Sequence, residues 1–271
     1  MDTGTAQPTI TRTLLSKVPE VTIFFWIIKI LATTVGETFA DYINETLGFG
    51  LTKTTWVMTA LLVVALFFQF RAKKYVPALY WIVVVFISVV GTLITDNLTD
   101  GHGVPLKLTT SVFAVLLAIV FFLWYREEGT LSIHSIDTPK REAWYWLAIL
   151  VTFSLGTAAG DLISESFNLG YWKSIVLFAG LIGLVVIATF VFKLNRVLAF
   201  WLAYILTRPL GASIGDFMSQ KHAHDTAWGL GLGTTGTSLI FLGAILVVVV
   251  FLSITKMDQP PPIVVEEPAA P

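Results

Sequence analysis

Four aspartates recur at the same place in a repeated pattern, and carboxylates so placed could bind a cation or carry a proton. The pattern is W-x9-G-x4-D-x2-[NST]-x-[DEQ], at offsets of 55, 65 and 55 residues. Its tryptophans, glycines and aspartates are Trp26, Trp81, Trp146 and Trp201; Gly36, Gly91, Gly156 and Gly211; and Asp41, Asp96, Asp161 and Asp216. The residues four positions after the aspartates are Glu45, Asp100, Glu165 and Gln220.

The chemistry expected of these side chains is that of oxygen ligands. Carboxylates and amides suit H+, Na+, Mg2+, Mn2+ and Ca2+ better than soft metals. An aspartate and its partner at i+4 share a helical face, so each repeat offers a vertical pair of ligands. An ionised group inside a membrane span costs about 2.5 to 3.5 kcal/mol, so a cation or proton is expected at the four aspartates. The alternative is structural: each aspartate hydrogen-bonds the start of the next helix.

The repeats differ at two charged positions, where function often resides. Glu37 follows the first repeat's glycine, where the other repeats have threonine or alanine, and Arg208 precedes Pro209 in the fourth repeat. We predict an ion pair or a proton-coupled pair between Glu37 and Arg208. The alternative is that Arg208 extends its charge to the membrane surface while Pro209 kinks its helix. Lys29, one turn past the first tryptophan, is expected to reach the surface in the same way.

The elements that must position these residues are membrane helices. Apolar residues make up 55% of the 271 residues and charged residues 13%, with a mean hydropathy of +0.79, which is outside the range of soluble domains. About 20 apolar residues cross a bilayer as a helix. The apolar runs predict eight spans near residues 20–42, 54–71, 77–98, 107–125, 143–164, 172–192, 198–219 and 236–254.

The predicted fold is an all-α membrane protein of four two-helix repeats. Two spans per repeat give every repeat the same orientation, which makes the repeats parallel and favours a pseudo-fourfold or a two-plus-two arrangement. The tryptophans are expected at the membrane interface. The predicted units are an N-terminal segment 1–19, repeats 20–75, 76–139, 140–195 and 196–255, and a disordered tail 256–271.

The loops predict the orientation. Eleven lysines and arginines flank the spans on the side of the termini and four on the other, which predicts that both termini lie in the cytoplasm. The first apolar run has no cleavage pattern and is interpreted as a signal anchor. The absence of cysteine excludes disulfides and thiolate metal sites. The segment from Lys221 to Asp225 contains an H-x-H motif, a weak signal for metal binding.

On the tryptophan, glycine and aspartate sets, the chain resembles a family of bacterial multi-pass membrane proteins with four tandem two-span repeats and a characteristic tryptophan. The resemblance covers residues 17 to about 255. It implies the repeat fold and a place in a bacterial inner membrane, and it assigns no activity.

The expected function is therefore inferred from the residues. We predict a transporter or channel for a small hard cation, with the repeat carboxylates, Glu37 and Arg208 along its pathway. Glu37 and the four aspartates are the expected ligands of a divalent ion, Mn2+ or Mg2+, if one binds. No cofactor is required. The expected partners are the lipid bilayer and the cation, with no nucleic acid. Two alternatives stay open: a membrane enzyme with a carboxylate-bound metal, although no catalytic motif is present, and a noncatalytic scaffold or sensor.

Overall fold

The computed structural model describes residues 9–14, 16–166, 169–221, 229–261 and 263–268. Within these ranges, eight helices are long and apolar enough to cross a membrane. They are α1 (Ile23–Asp41), α2 (Leu51–Arg71), α3 (Pro77–Asp96), α4 (Leu106–Glu128), α5 (Pro139–Asp161), α6 (Tyr171–Phe190), α7 (Arg196–Ser219) and α8 (Gly233–Thr255). The all-α fold with eight spans is confirmed, and the helix bounds agree with the predicted spans to within a few residues.

The odd-numbered helices form an inner ring and the even-numbered helices surround it. α1 packs against α3, α3 against α5, α5 against α7, and α7 closes the ring on α1. Each even helix packs on the next odd helix: α2 on α3, α4 on α5, α6 on α7, and α8 on α1. In the most apolar stretch of α1, 61% of the residues are buried, against 22% in α2. Of the two predicted arrangements, the packing is the pseudo-fourfold one.

The repeat glycines allow the inner helices to approach closely. A Cβ atom at Gly36 would overlap Ser88 of the next inner helix, one at Gly91 would overlap Phe153, one at Gly156 would overlap Arg208, and one at Gly211 would overlap Thr33. The four overlapped residues are equivalent, each three positions before its own glycine. The same glycine contact thus repeats around the ring, as small residues do where membrane helices pack tightly.

The bundle has two ends, which we name by their contents. The terminal end is where α1, α3, α5 and α7 begin, and the aspartate end is where these four helices reach their aspartates. In the first three repeats a π-helical turn follows the aspartate directly: Tyr42–Thr46, Asn97–Gly101 and Leu162–Ser166. A π-helical turn is wider than an α-helical one and often marks a functional position. In the fourth repeat α7 continues as an α-helix to Ser219.

The C-terminal tail differs from the disordered segment that was predicted. Ile263–Pro268 forms a strand, β2, paired antiparallel with β1 (Thr9–Leu14). Before it, Asp258 is 1% exposed, its carbonyl accepts a hydrogen bond from the Glu20 amide, and its carboxylate accepts one from the Tyr75 hydroxyl. The tail therefore folds back on the terminal end because it finds buried polar partners there.

Candidate functional site

An ion pair between Glu37 and Arg208 lies inside the inner ring. Arg208 Nη2 is 2.8 Å from Glu37 Oε2, and the side chains are 0% and 10% exposed. The predicted contact between repeats one and four is thereby confirmed as an ion pair. The alternative, in which Arg208 extends toward the membrane surface, is wrong because the guanidinium points across the ring and is fully buried.

The guanidinium of Arg208 contacts all of the other inner helices. It donates to Thr157 Oγ1 on α5 at 2.8 Å, to Thr92 Oγ1 on α3, and to the carbonyl of Thr33 on α1 at 3.3 Å. Glu37, Thr92 and Thr157 each directly follow a repeat glycine, so symmetry brings them to one depth. We call Glu37, Thr92, Thr157 and Arg208 the charge layer. It joins the four inner helices by one side chain.

The sequence explains why an arginine fits there. Arg208 is equivalent to Thr33, Ser88 and Phe153, the residues that face a repeat glycine, and its own Cβ and Cγ occupy the space left by Gly156. The position after glycine in the fourth repeat is Ala212, which has no polar group. The fourth repeat thus has no polar residue at this position, and its Arg208, one helical turn earlier, reaches the layer instead.

The four aspartates lie beyond the charge layer, near the ends of their helices at the aspartate end. Asp216 is 9% exposed, and Asp41, Asp96 and Asp161 are half-buried. Each aspartate lies five residues past its repeat glycine, and the glycine contacts repeat around the ring. The structure therefore gathers the aspartates of the four repeats at one end of the inner ring.

The predicted second ligand of each pair is only partly described. Asp100 and Gln220 are exposed at the aspartate end. The side chains of Glu45 and Glu165, and the H-x-H motif, lie outside the described residues. The predicted pairing of each aspartate with the residue four positions later stays a prediction.

The predicted metal ligands do not form a compact metal centre. Among the described residues, no three histidine, aspartate or glutamate side chains come together as metal ligands. Glu37 is engaged with Arg208, and the aspartates are distributed around the ring on separate helices.

The repeat pattern has a match among known protein families. Residues 24–75, 79–130, 144–195 and 199–258 match the family described as Repeat of Unknown Function (DUF347). The chain belongs to this family. No curated protein and no solved structure matches the chain. The DUF347 match assigns the architecture, since each matched segment covers one two-helix unit, and leaves the activity open.

Lys29 is the charged residue of this DUF347 protein that sequence reasoning missed. It was expected to reach the membrane surface, but it is 0% exposed, and its Nζ lies 4.1 Å from the ring centroids of both Phe153 and Tyr204. The prediction is wrong because these two rings enclose the ammonium inside the ring of helices. Lys29 and Tyr204 are equivalent, each three residues after a repeat tryptophan, and this equivalence is the signal that could have found the pair.

Three of the four DUF347 tryptophans lie in the core of the bundle. Trp81, Trp146 and Trp201 are at most 3% exposed, and Trp26 is half-buried. Their expected depth at the membrane interface stays a prediction. Each repeat tryptophan packs against the aromatic residue that precedes the tryptophan of the neighbouring repeat, at centroid distances of 5.4 to 6.3 Å, in the pairs Phe25–Trp81, Tyr80–Trp146, Tyr145–Trp201 and Phe200–Trp26. We call these eight residues the aromatic layer. The aromatic layer thus packs the first turns of the four inner helices against one another around the axis.

Loop segments cover the aromatic layer at the terminal end. Lys17 Nζ is 2.8 Å from Glu142 Oε2, and Gln69 donates to the other oxygen of Glu142 at 2.9 Å. Burial and the hydrogen bond to Asp258 raise the pKa of Tyr75. Burial likewise raises the pKa of Asp258. Lys17 thus ties the segment before α1 to α5, and Tyr75 ties the segment before α3 to the segment after α8.

A groove of about 780 Å³ opens on the outside of the ring between α1, α6 and α7. Its walls are mainly apolar and include Trp26, Ile182 and Phe200, and His134 and Arg196 lie among its lining residues. Thr207 and Leu210, which flank Arg208 and Pro209 in the chain, also line it. The groove breaks the fourfold symmetry on the side where α6 packs.

Proposed function

We propose that this protein transports a small hard cation through the inner ring of helices. The carboxylates at the aspartate end take up the ion, and the charge layer forms the barrier that the ion or a proton must pass. The observation that carries the proposal is that the repeated glycine contacts bring the four aspartates to one end of the inner ring, beyond the buried Glu37–Arg208 pair. Rings of acidic side chains are what cation pathways use.

The charge balance supports a cation. From the repeat tryptophans to the aspartates, the inner helices carry five carboxyl groups, those of the four aspartates and Glu37, and two cationic side chains, those of Lys29 and Arg208. Glu37 and Arg208 form an ion pair. An ionised carboxylate in a span costs about 2.5 to 3.5 kcal/mol, so a proton or a cation at the other carboxylates reduces that cost.

A transporter is favoured over an open channel. The aromatic layer and the segments above it close the axis at the terminal end, while the aspartate end presents Asp100 and Gln220 to solvent. A bundle that is covered at one end and exposed at the other is what one state of alternating access requires. The distribution of positive charge predicts that the terminal end faces the cytoplasm of a bacterium. Ions therefore reach the aspartates from the side of the membrane that faces away from the cytoplasm.

The nature of the oxygen ligands supports H+, Na+, Mg2+ and Mn2+ as candidates. Because no compact metal centre is assembled among the described residues, a proton or a partly hydrated ion suits the aspartates best. Protonation neutralises one carboxylate without a complete shell of ligands. We therefore expect ion movement to be coupled to protons.

The test is a flux assay with the purified protein in liposomes. Gradients of Na+, Mg2+ and Mn2+ are applied at two pH values, with an entrapped pH-sensitive dye. We expect one of these gradients to move protons or ions, and Asp96→Asn to slow this movement at least tenfold. Glu127→Gln is the matched control, since Glu127 is an exposed carboxylate at the terminal end.

Two outcomes would overturn the proposal. One is normal flux in Asp41→Asn, Asp96→Asn, Asp161→Asn and Asp216→Asn, each with an unchanged melting temperature. The other is loss of folded protein in all four variants, which would favour a scaffold held together by its aspartates. The Arg208 network, which ties the four inner helices together, is the observation that keeps the scaffold in consideration.

A further inference from the structure

Between the aromatic layer and the charge layer, several buried polar groups have no hydrogen-bond partner among the described residues. They are Lys29 Nζ, Tyr204 Oη, Ser88 Oγ and Arg208 Nε, all on side chains that are 0% exposed. Lys29 and Tyr204 share one repeat position, and Ser88 and Arg208 share another one helical turn further along. Every one of the four groups can donate a hydrogen bond. The region is therefore rich in donors at two adjacent levels.

Charge is also unbalanced there. Lys29 and Arg208 both lie over the ring of Phe153, with the Lys29 Nζ 4.1 Å and the Arg208 Cζ 5.8 Å from its centroid, and the two cations repel each other. Glu37 neutralises Arg208 alone. The repeat aspartates are too far away to be counter-charges of Lys29. Asp41 lies twelve residues further along the same helix, about 18 Å away at 1.5 Å per residue, and the other three aspartates occupy equivalent positions.

The aromatic rings around Lys29 only partly replace a counter-charge. The faces of Phe153 and Tyr204 attract the ammonium, and each such contact is weaker than the cost of burying an unpaired charge. A buried cation with free N–H groups is stable when an anion completes its surroundings. Arg208 Nε is a second buried donor without a partner among the described residues.

We propose that a small monatomic anion, chloride or another halide, binds between Lys29 and Arg208. It accepts hydrogen bonds from Lys29 Nζ and Arg208 Nε, and the hydroxyl of Tyr204 is a further donor. The side chains of the site are fully buried between the inner helices, so its ligand is small and gives up its water readily. The site does not depend on the proposed transport of a cation.

The first test measures thermal unfolding of the full-length protein in detergent, in sodium chloride and in sodium gluconate at equal ionic strength. A ligand that binds only the folded state raises the melting temperature with its concentration. We expect a saturable rise with chloride for the wild type and at least a tenfold weaker apparent affinity in Lys29→Met. Lys107→Met, which alters an exposed lysine of α4, is expected to keep the wild-type response.

Equal melting temperatures of the wild type in chloride and gluconate would overturn the site, and so would an unaltered chloride response in Lys29→Met. If Lys29→Met does not fold, bromide-soaked crystals of the wild type decide. We expect an anomalous peak within hydrogen-bond distance of Lys29 Nζ. A water molecule at that place, or no density at all, would show that Lys29 is neutral and that no anion binds.

Discussion

Two adjacent positions of the repeat differ in symmetry: the first keeps it in all four repeats and the second does not. At the first, every repeat has a glycine, and each glycine makes the same contact with the next inner helix. At the second, the repeats have Glu37, Thr92, Thr157 and Ala212, and these four residues are not used alike: three contact Arg208. The glycine level repeats one backbone contact four times, whereas the charge layer has a single arginine at its centre. Symmetry thus builds the ring, and its breaking at one level creates a site.

The largest expected effect comes from removing the centre of the charge layer. Arg208→Met leaves Glu37 buried without its partner, which should cost about 3 to 5 kcal/mol of unfolding free energy. Denaturation in detergent micelles measures the loss. Adding Glu37→Gln should restore most of it, because the unpaired charge is then gone. A double variant as unstable as the single one would mean that Arg208 acts through packing and not through charge.

The glycine level can be tested with a change of one methyl group. Gly36→Ala places a Cβ inside Ser88, and the overpacking should cost about 1 to 3 kcal/mol. Gly180→Ala in α6 is the control, since no atom lies within 4 Å of its added Cβ and the helix there tolerates alanine. Both are measured by melting temperature in the same detergent. Equal values for the two variants would contradict close packing of the inner helices.

The hydroxyls of the charge layer should contribute less. Thr157→Val removes the acceptor of an Arg208 hydrogen bond while keeping the side-chain shape, for a loss of about 1 to 3 kcal/mol. Thr152→Val is its partner experiment, because Thr152 is equally buried but bonds only to a carbonyl of its own helix. We expect the melting temperature to fall further for Thr157→Val, and a reversed order would remove the threonine from the network.

The smallest effect is expected at the terminal end, outside both levels. Because burial raises the pKa of Asp258, the folded state binds its proton more tightly than the unfolded state does. The stability that this adds is present below the ordinary value of 3.8 and is lost as the pH rises through the raised value. Asp258→Asn should flatten the dependence of the melting temperature on pH above 4. An unchanged slope would show that the carboxyl is not buried in solution.

The ring and its register were accessible from the sequence because they follow from spacing alone. Spans of about twenty apolar residues and four copies of one pattern define eight helices in parallel units. The Glu37–Arg208 pair could also be predicted, since symmetry brings both residues to nearly one depth and opposite charges attract in lipid. Equivalent positions of a repeat are neighbours even when they lie more than 170 residues apart.

The burial of Lys29 and of the tryptophans could not be predicted in the same way. Position along a helix indicates depth, but not whether a side chain turns outward to the surface or inward to the axis. Trp81 and Lys29 turn inward because aromatic neighbours from other repeats meet them there. Residue types likewise do not indicate the π-helical turns that follow three of the aspartates.

The sequence by itself determined the membrane-spanning character, the four repeats, the aspartate set and the charged positions at which symmetry breaks. These features depend on composition and periodicity, which act locally along the chain. Only the tertiary structure decided which side chains share the axis, that the tail folds back, and that Arg208 contacts all three of the other inner helices. The reason is physical: closing the ring brings residues of different repeats within hydrogen-bond distance, and no single helix contains that information.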